Sequence, residues 1–468
     1  MIKIILNKIL YYIIKNRYYY ILAIIYRFFI FERLPNGNNK LIHSNPNNRV
    51  TIFALDSDRY RGDLDVLASS PLLRVLCIRN KWQGVLIRCL YKNNKVNPLD
   101  YSRSLPGSYL YDKVKKPAQM FMCDFLKVLF SIIKVDCVTS VSYRYIDDID
   151  WTLASEKNNI PYIVFYRECL LNEGERIYSD VVDRHKLFNF HGSHIIVHNE
   201  TCKKSFIESS FFNENKISVI GALRMDKYLT SLKRNYKHVE KRRKRFILFY
   251  FPYNMSLFGK SGNYPSDYKY KYAFSIWPER EKYFEEVHSA IAELAIEFPN
   301  IDFVIKPKNI MMKSPAWKYY ERVLDKMDFN VDKYDNYSIE PNSDVHDLIL
   351  NSDVICSLQS STVIESAISG KPVILPIFEN YRSSENYKDF FWKKHIELFN
   401  IPNNKKHFKE LIIDLISHPN VSESILNKRK KIFKFFFNDL EGVSLDKYVN
   451  VITNVVESNK CQNRSSFK

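Results

Sequence analysis

Short apolar runs alternate with segments of helical periodicity along most of the chain, and this alternation limits the fold more than any other feature. An apolar run without polar alternation is typical of a strand covered on both faces, as in a parallel sheet flanked by helices. In the first half such runs are found at 50–55, 73–78, 135–142, 161–166, 194–198 and 216–221. Helical periodicity lies between them, as at 118–134 and 200–212. The pattern predicts a doubly wound α/β domain.

A polar, strongly basic segment at 233–245 carries no core pattern and separates this alternation from a second one. In the second half the apolar runs are at 246–251, 301–306, 353–358 and 372–377. We therefore expect two Rossmann-like domains that are joined by a linker and face each other across a cleft. The predicted division is an amino-terminal segment 1–34, a first domain 35–232, the linker 233–245, a second domain 246–440, and a carboxyl-terminal helix and tail 441–468.

The amino-terminal segment 1–34 is apolar and aromatic, but its longest run without a charged residue covers only 18–26. A helix needs about 20 apolar residues to span a bilayer, and no small-residue cleavage site of a signal peptide follows. Lysine and arginine interspersed with tyrosine and isoleucine favour a helix that lies in the interface of an acidic membrane leaflet. Because the cations do not gather on one helical face, a helix buried in the core is the alternative.

The net charge of +18 predicts anionic partners such as acidic lipid or phosphorylated substrates. No recognisable nucleic-acid-binding module accompanies the charge, so nucleic acid is not among the expected partners. The eight cysteines form no C-x-x-C pair and no metal-binding array with histidine. We therefore expect a reduced, cytoplasmic compartment.

A cluster of hydroxyl side chains, Ser360, Ser361 and Thr362, follows the apolar run at 353–358. A helical segment starts there, with Glu365 one turn inside it. Ligands of open parallel sheets bind beyond the carboxyl ends of the strands, often on a helix amino terminus, where free N–H groups and the helix dipole favour an anion. One hydroxyl is enough to cap the helix. Three in a row predict a phosphate site as well.

The stretch 352–375 resembles the donor-binding segment of GT-B glycosyltransferases of bacterial surface-polysaccharide synthesis, in particular the Kdo-transferase-like, sialyltransferase-like and CDP-glycerol transferase-like group. The matching residues are Ser360, Ser361, Glu365, Ala367, Gly370, Lys371, Pro372 and Val373. A stretch before the basic segment is similar to a second element of these enzymes, in Lys216, Ile217, Val219, Gly221, Arg224 and Asp226. The family's K-x-H-P element, without its histidine, is represented by Lys306, Pro307 and Lys308.

The resemblance implies a donor site in the second domain. The implied donor-binding residues are Lys306, Lys308, Ser360, Ser361, Thr362 and Glu365. The hydroxyls and the lysines would bind the donor phosphates, and Glu365 would accept a hydrogen bond from a hydroxyl of the sugar or ribose. The alternative role for Glu365 is a first-turn carboxylate that interacts favourably with the helix dipole.

The activity implied by the resemblance is transfer of a sugar from a nucleotide-activated donor to a bacterial surface glycan of capsule, O-antigen or lipopolysaccharide type. The donor would be a CMP-, CDP- or UDP-linked substrate, so no separate cofactor is expected. The acceptor would be a glycan or lipid-linked glycan, and the protein would be peripheral at the inner face of the plasma membrane. The alternatives are a CDP-polyol phosphotransferase of the CDP-glycerol transferase-like family, whose histidine motif is not recognisable here, and a non-catalytic membrane-associated assembly protein.

Acidic residues follow the apolar run at 161–166 and supply candidates for the base that deprotonates an acceptor hydroxyl. Glu168 is nearest to the end of the run, and Glu173 with the following glycine resembles an acidic element of sialyltransferase-like families. We predict that Glu168 or Glu173 is the base. The alternative is a solvated acidic loop.

One sequence feature favours a different class of enzyme. It is a D-x-D pair, Asp56 and Asp58, and such a pair holds a divalent metal and a diphosphate in GT-A enzymes. A GT-A enzyme would not explain the second Rossmann-like half, so no metal site is predicted.

Overall fold

A largely parallel sheet is present in each half of the chain in the computed structural model. The structure describes residues 2–42, 48–90, 96–234, 243–250, 280–358, 360–384, 387 and 390–465. The chain divides into two units, one made of Met1–Thr230 with Phe435–Lys468 and the other of Ser231–Lys434.

The sheet of the first unit consists, in its described part, of eight strands. They are β1 (Ile30–Arg33), β2 (Asn39–Leu41), β3 (Val50–Ala54), β4 (Leu73–Ile78), β5 (Cys137–Ser140), β6 (Tyr162–Phe165), β7 (His194–Val197) and β8 (Ile217–Val219). Their order is β2-β1-β4-β3-β5-β6-β7-β8. The strands from β4 to β8 in that order run parallel, and β1 is antiparallel to both of its neighbours. The six apolar runs of the first half are these parallel strands, whereas β1 and β2 were not predicted.

The sheet of the second unit is parallel throughout its described part. Its strands are β9 (Lys244–Phe249), β10 (Ile301–Lys306), β11 (Tyr337–Ile339), β12 (Val354–Cys356) and β13 (Val373–Ile374). Their order is β11-β10-β9-β12-β13. The central strand β9 pairs Phe246 with Phe303 of β10 on one side and with Val354 of β12 on the other.

Helices alternate with the strands in both units. The first ten are α1 (Ile2–Lys15), α2 (Tyr19–Phe29), α3 (Asp63–Ala68), α4 (Asn80–Leu90), α5 (Pro98–Arg103), α6 (Lys116–Ile133), α7 (Ile146–Lys157), α8 (Arg176–His185), α9 (Glu200–Glu208) and α10 (Met225–Lys233). The others are α11 (Arg280–Glu297), α12 (Pro315–Asp325), α13 (Val345–Leu350), α14 (Ser361–Ala367), α15 (Glu379–Arg382), α16 (Lys405–Ser417), α17 (Glu423–Phe437) and α18 (Ser444–Ser465).

The sheet of the first unit is buried on both faces, which explains why its strands are apolar without alternation. Successive side chains of a strand point to opposite faces. Phe53 of β3 therefore lies in one apolar cluster with Phe125 of α6, and the neighbouring Ile52 lies in another with Ile452 of α18. The predicted α/β class with two Rossmann-like, doubly wound halves is confirmed.

The carboxyl-terminal helix predicted within 441–468 is α18, and it packs on the first unit. The carboxylate of Asp226 accepts hydrogen bonds from the backbone N–H groups of Ser444, at 3.1 Å, and Leu445, at 2.8 Å, at the start of this helix. Most of the predicted linker 233–245 lies outside the described residues, which end at 234 and resume at 243.

The amino-terminal segment forms α1 and α2, followed by β1. Among the described residues, each helix is either too short or too polar to cross a membrane.

Candidate functional site

The second unit has a topological switch point beside its central strand. From β9 the chain continues to β10 and β11 on one side of the sheet and then to β12 and β13 on the other. The carboxyl ends of β9 and β12 therefore border a crevice of the kind in which open α/β sheets bind ligands. Helix α14 starts there, directly after β12. The segment 251–279 that follows β9 lies outside the described residues.

The start of α14 is capped by Ser360. Its Oγ accepts a hydrogen bond from the backbone N–H of Thr362 at 3.3 Å and lies 3.0 Å from the Thr362 hydroxyl. Ser361 is the first helical residue, and within the described residues its hydroxyl is not part of the cap. The predicted capping role therefore belongs to Ser360, and the hydroxyl of Ser361 is not required for it.

Glu365 lies on α14 with its side chain almost fully buried, at 4% exposure. Its Oε2 is 3.2 Å from Nε2 of His346 on α13. The side chain of Asp344 caps α13 by accepting from the backbone N–H of His346 at 2.9 Å. Glu365 is thus held by a specific partner, so a general interaction with the helix dipole does not fully describe it. Sequence reasoning missed His346, because 344–351 shows only a short helical pattern.

Lys306 is the last residue of β10 and is half-buried at the same edge of the sheet. Its Nζ donates hydrogen bonds to the carbonyl oxygens of Pro307, at 3.0 Å, and Pro341, at 2.9 Å. Burial lowers the pKa of Lys306, and the nearby carboxylates of Asp344 and Glu340 oppose this change. Lys306 is therefore attached to the loop that leads into α13.

Lys308 lies in the loop after β10 and is exposed to solvent. The backbone at this residue starts a short helical turn, in which its carbonyl accepts from the N–H of Met311 at 2.8 Å. The two predicted lysines thus differ, since one is fixed to backbone carbonyls and the other lies on the surface.

Polar side chains at the carboxyl ends of β10, β11 and β12 are thereby linked to one another. The charge of Asp344 acts on Lys306, Asp344 caps the helix that carries His346, and His346 contacts Glu365. The set offers a carboxylate that accepts from hydroxyl groups, together with a helix start that donates to an anion. These are the groups that a sugar hydroxyl and a phosphate need.

Lys371, which belongs to the matching sequence pattern, has a structural role. Its Nζ donates to the carbonyl oxygen of Ile349 at 2.8 Å and also to those of Leu350 and Ser352, at the end of α13. A lysine at a helix carboxyl terminus satisfies carbonyls that have no partner within the helix. This lysine therefore fixes α13, the helix that carries His346.

In the first unit the two predicted base candidates lie in different surroundings. Glu173 forms an ion pair with Lys204 of α9, and both side chains are about half exposed, at 52% and 47%. Glu168 is exposed directly after β6, and its charge acts on the pKa of both Arg144 and Arg167. Glu173 therefore has the contacts of a surface ion pair, whereas Glu168 is an exposed carboxylate at the carboxyl edge of the sheet.

Arg167, next to Glu168, has further arginines near it at this edge. Burial lowers the pKa of Arg167, and the positive charges of Arg61 and Arg224 lower it further. The backbone N–H of Arg224 donates to Oδ1 of Asp63 at 2.8 Å, which joins the segment after β8 to the start of α3. Arg224 was matched to the second family element, but the sequence did not predict that Arg61, Arg167 and Arg224 come together, because they belong to three separate loops. Together they can bind a negatively charged group.

The two aspartates of the D-x-D pair differ in burial and in their contacts. Asp56 is buried, forms an ion pair with Arg59, and accepts a hydrogen bond from Nδ2 of Asn80 at 2.9 Å. Asp58 is exposed. Asp56 thus stabilises its own loop, and the described residues contain no group of three or more acidic, histidine or cysteine side chains suited to a metal ion.

No protein-family model and no curated protein sequence matches this chain. Among solved structures, UDP-GlcNAc 2-epimerase from Neisseria meningitidis is 14% identical over 87% of this chain and 99% of its own, with a TM-score of 0.44. The enzyme of the same name from Methanocaldococcus jannaschii is 14% identical over 87% and 99%, with a TM-score of 0.47. The wall teichoic acid polymerase TagF is 11% identical over 88% and 89%, with a TM-score of 0.44. These values are too low to assign a family or an activity.

Proposed function

We propose that the chain is a GT-B-type glycosyltransferase that binds a nucleotide-activated sugar at the carboxyl edge of the second sheet and transfers the sugar to a bacterial surface glycan. The observation that carries the proposal is the buried carboxylate of Glu365, which His346 holds beside the start of α14 at the switch point. Burying a carboxylate costs free energy unless it has partners. Buried carboxylates that are held by a specific partner in such positions are frequent at functional sites.

The donor is recognised through two kinds of contact in this proposal. Glu365 accepts a hydrogen bond from a hydroxyl of the ribose or the sugar. Ser361, the N–H groups at the start of α14, and Lys306 bind the phosphates, and their positive potential stabilises the charge that develops on the departing nucleotide. Thr362, which is almost buried beside Ser360, supports this helix start.

The transfer step needs a base on the acceptor side, and Glu168 is the proposed group. An acceptor hydroxyl oxygen forms a bond to the anomeric carbon while the bond from that carbon to the phosphate oxygen breaks. The electron pair of the broken bond leaves with the nucleotide, and the hydroxyl proton goes to Glu168. The ion pair between Glu173 and Lys204 makes Glu173 the weaker candidate.

A donor-consumption assay tests the reaction. The full chain is incubated with CMP-, CDP- and UDP-linked sugars and, separately, with a CDP-polyol, in the presence of membranes that carry surface glycan. Release of free nucleotide from one of the sugars, together with sugar incorporation, is the expected result. Turnover of the CDP-polyol alone would favour the phosphotransferase alternative, and no turnover of any donor would contradict the proposal.

A binding measurement tests the donor site itself. Calorimetric titration with CMP, CDP, UDP and GDP should identify one nucleotide that binds the wild-type chain. We expect Glu365→Gln and Ser361→Ala to weaken this binding, by about tenfold for the charged contact. Ser369→Ala is the matched control, because Ser369 follows the opposite end of α14, where its Oγ donates to the carbonyl of Ser366 and accepts from the backbone N–H of Lys371. Equal weakening by all three variants would point to a loss of helix stability.

A further inference from the structure

The amino-terminal helices α1 and α2 each bury one face in the first unit. Leu10 and Ile13 of α1 and Leu22 and Tyr26 of α2 belong to the apolar cluster that contains α6. The ring of Tyr26 lies 5.2 Å from that of Phe125, and its hydroxyl donates to the carbonyl of Trp82 at 2.9 Å. This face of the segment is therefore buried in the core, as the alternative of a core helix predicts.

The opposite face of α2 exposes large apolar side chains. Tyr20, Ile24 and Phe28 follow one another at intervals of four residues and are 65%, 38% and 74% exposed, and Ile21 beside them is 49% exposed. On α1, Tyr12 is 60% exposed. Eight of the 17 exposed large apolar side chains in the described part of the chain lie between residues 9 and 28. Such a concentration is typical of a surface that binds a partner or a membrane.

The charged residues of α1, α2 and the turn between them are all positive, while the exposed Asp124 of α6, which accepts a hydrogen bond from the Tyr19 hydroxyl at 3.1 Å, is an acidic neighbour. Lys15, Arg17 and Arg27 are exposed, and the first acidic residue of the sequence is Glu32. Glu32 is itself buried and forms an ion pair with Arg74. A face that combines tyrosine, isoleucine and phenylalanine with arginine and lysine fits the interface of an anionic bilayer, where cations are attracted to the acidic headgroups.

We propose that α1 and α2 dock the protein on the surface of an anionic phospholipid bilayer, with Tyr20, Ile24 and Phe28 inserted among the lipid headgroups. A second copy of the chain is the less suitable occupant, because two such faces would bring the same cations together, and on each face Lys15, Arg17 and Arg27 outnumber the acidic Asp124. This inference does not rest on the transferase activity, since vesicle binding requires no donor and no acceptor.

Vesicle sedimentation of the full chain tests the inference. Wild type should bind vesicles of phosphatidylcholine mixed with phosphatidylglycerol, and bind phosphatidylcholine alone at least about tenfold more weakly, with added salt reducing the difference. The double variant Ile24→Ser, Phe28→Ser should lose at least about tenfold in binding to the anionic vesicles. Arg17→Gln, Arg27→Gln should lose mainly the preference for anionic lipid.

Leu72→Ser and Ile207→Ser are the matched controls, because these side chains are 61% and 38% exposed but lie outside the helical pair. They should bind vesicles like wild type, and thermal unfolding should confirm that all variants fold. Equal binding by the Ile24→Ser, Phe28→Ser variant would overturn the inference. So would a wild-type dimer in solution that this variant converts to a monomer, because the face would then be covered by a second copy.

Discussion

At the scale of single residues, different side chains at the start of α14 serve the helix cap and the proposed binding site. Ser360 caps the helix through its Oγ, whereas Ser361 and the buried Glu365 take no part in the cap. Helix capping and phosphate binding are therefore compatible at this position. A substitution that preserves the cap but repels a phosphate separates the two.

Ser360→Asp is that substitution. Aspartate is as good a cap as serine, so the free energy of unfolding should change by less than about 1 kcal/mol. The new negative charge beside the proposed phosphate position should weaken nucleotide binding by at least about tenfold. Ser360→Ala is the control, since it removes the cap, costs about 1 kcal/mol and adds no charge. Unchanged nucleotide affinity of Ser360→Asp in calorimetry would show that no phosphate lies at this helix start.

Asp148, in the first turn of α7, gives the first unit a pH-dependent stability. Its side chain is 2% exposed and accepts a hydrogen bond from Nε2 of Gln83 at 2.7 Å. Burial raises its pKa to about 7. An unfolded aspartate ionises near about pH 3.9, so between these values the unfolded state has lost a proton that the folded state keeps. The stability contributed by Asp148 therefore falls as the pH rises through this window.

Asp148→Asn should remove this dependence. Between about pH 5 and about pH 8, the free energy of unfolding of wild type should fall by roughly 2 to 3 kcal/mol more than that of the variant, as measured by urea unfolding. Comparing the two proteins cancels the contributions of other titrating groups, including the buried His185, whose pKa burial lowers to about 3. Parallel profiles would mean that Asp148 is ionised in the folded protein.

The histidine contact of Glu365 shows which part of the candidate site the sequence can reveal. Three adjacent hydroxyls before a helix predict a cap and an anion site from local chemistry alone. The contact between His346 and Glu365 depends on how α13 and α14 pack. No local pattern predicts such packing, and the same holds for the arginines near Glu168, which come from separate loops.

At the scale of elements, strands buried on both faces were predictable, whereas short or edge strands were not. The runs at 50–55 and 194–198 are apolar because helices cover both sides of the sheet. β11 has only three residues, and β1 lies inside an aromatic segment with helical periodicity. The position of α18 on the first unit is a long-range contact that composition and periodicity do not encode.

Substitution of Gly221 tests how firmly the end of α17 is packed against this glycine. Gly221 has a φ of +111°, and a Cβ built there would lie 2.3 Å from the carbonyl oxygen of Phe437. Gly107 has a φ of +90° but no atom within 4 Å of its Cβ position. Gly107→Ala should cost about 1 kcal/mol from backbone strain alone, and Gly221→Ala at least about 3 kcal/mol. Equal losses in urea unfolding would mean that the backbone of Phe437 moves away freely.

At the scale of the whole molecule, the chain builds one sheet in each unit and then returns to the first. It leaves the first unit after Thr230 and re-enters it at Phe435, so that α18 covers a face of the first sheet. Each sheet is buried among its own helices. A ligand that binds only at the edge of the second sheet should therefore protect backbone amides of the second unit.

Hydrogen exchange with and without nucleotide is the most direct measurement of the central claim, that the donor binds at the switch point of the second unit. The nucleotide that calorimetry identifies should slow exchange in 338–346 and 360–367, and Glu365→Gln should reduce this protection at equal nucleotide concentration. The strands β3 to β6 should show no change. Protection confined to the first unit, or no protection by any saturating nucleotide, would contradict the account.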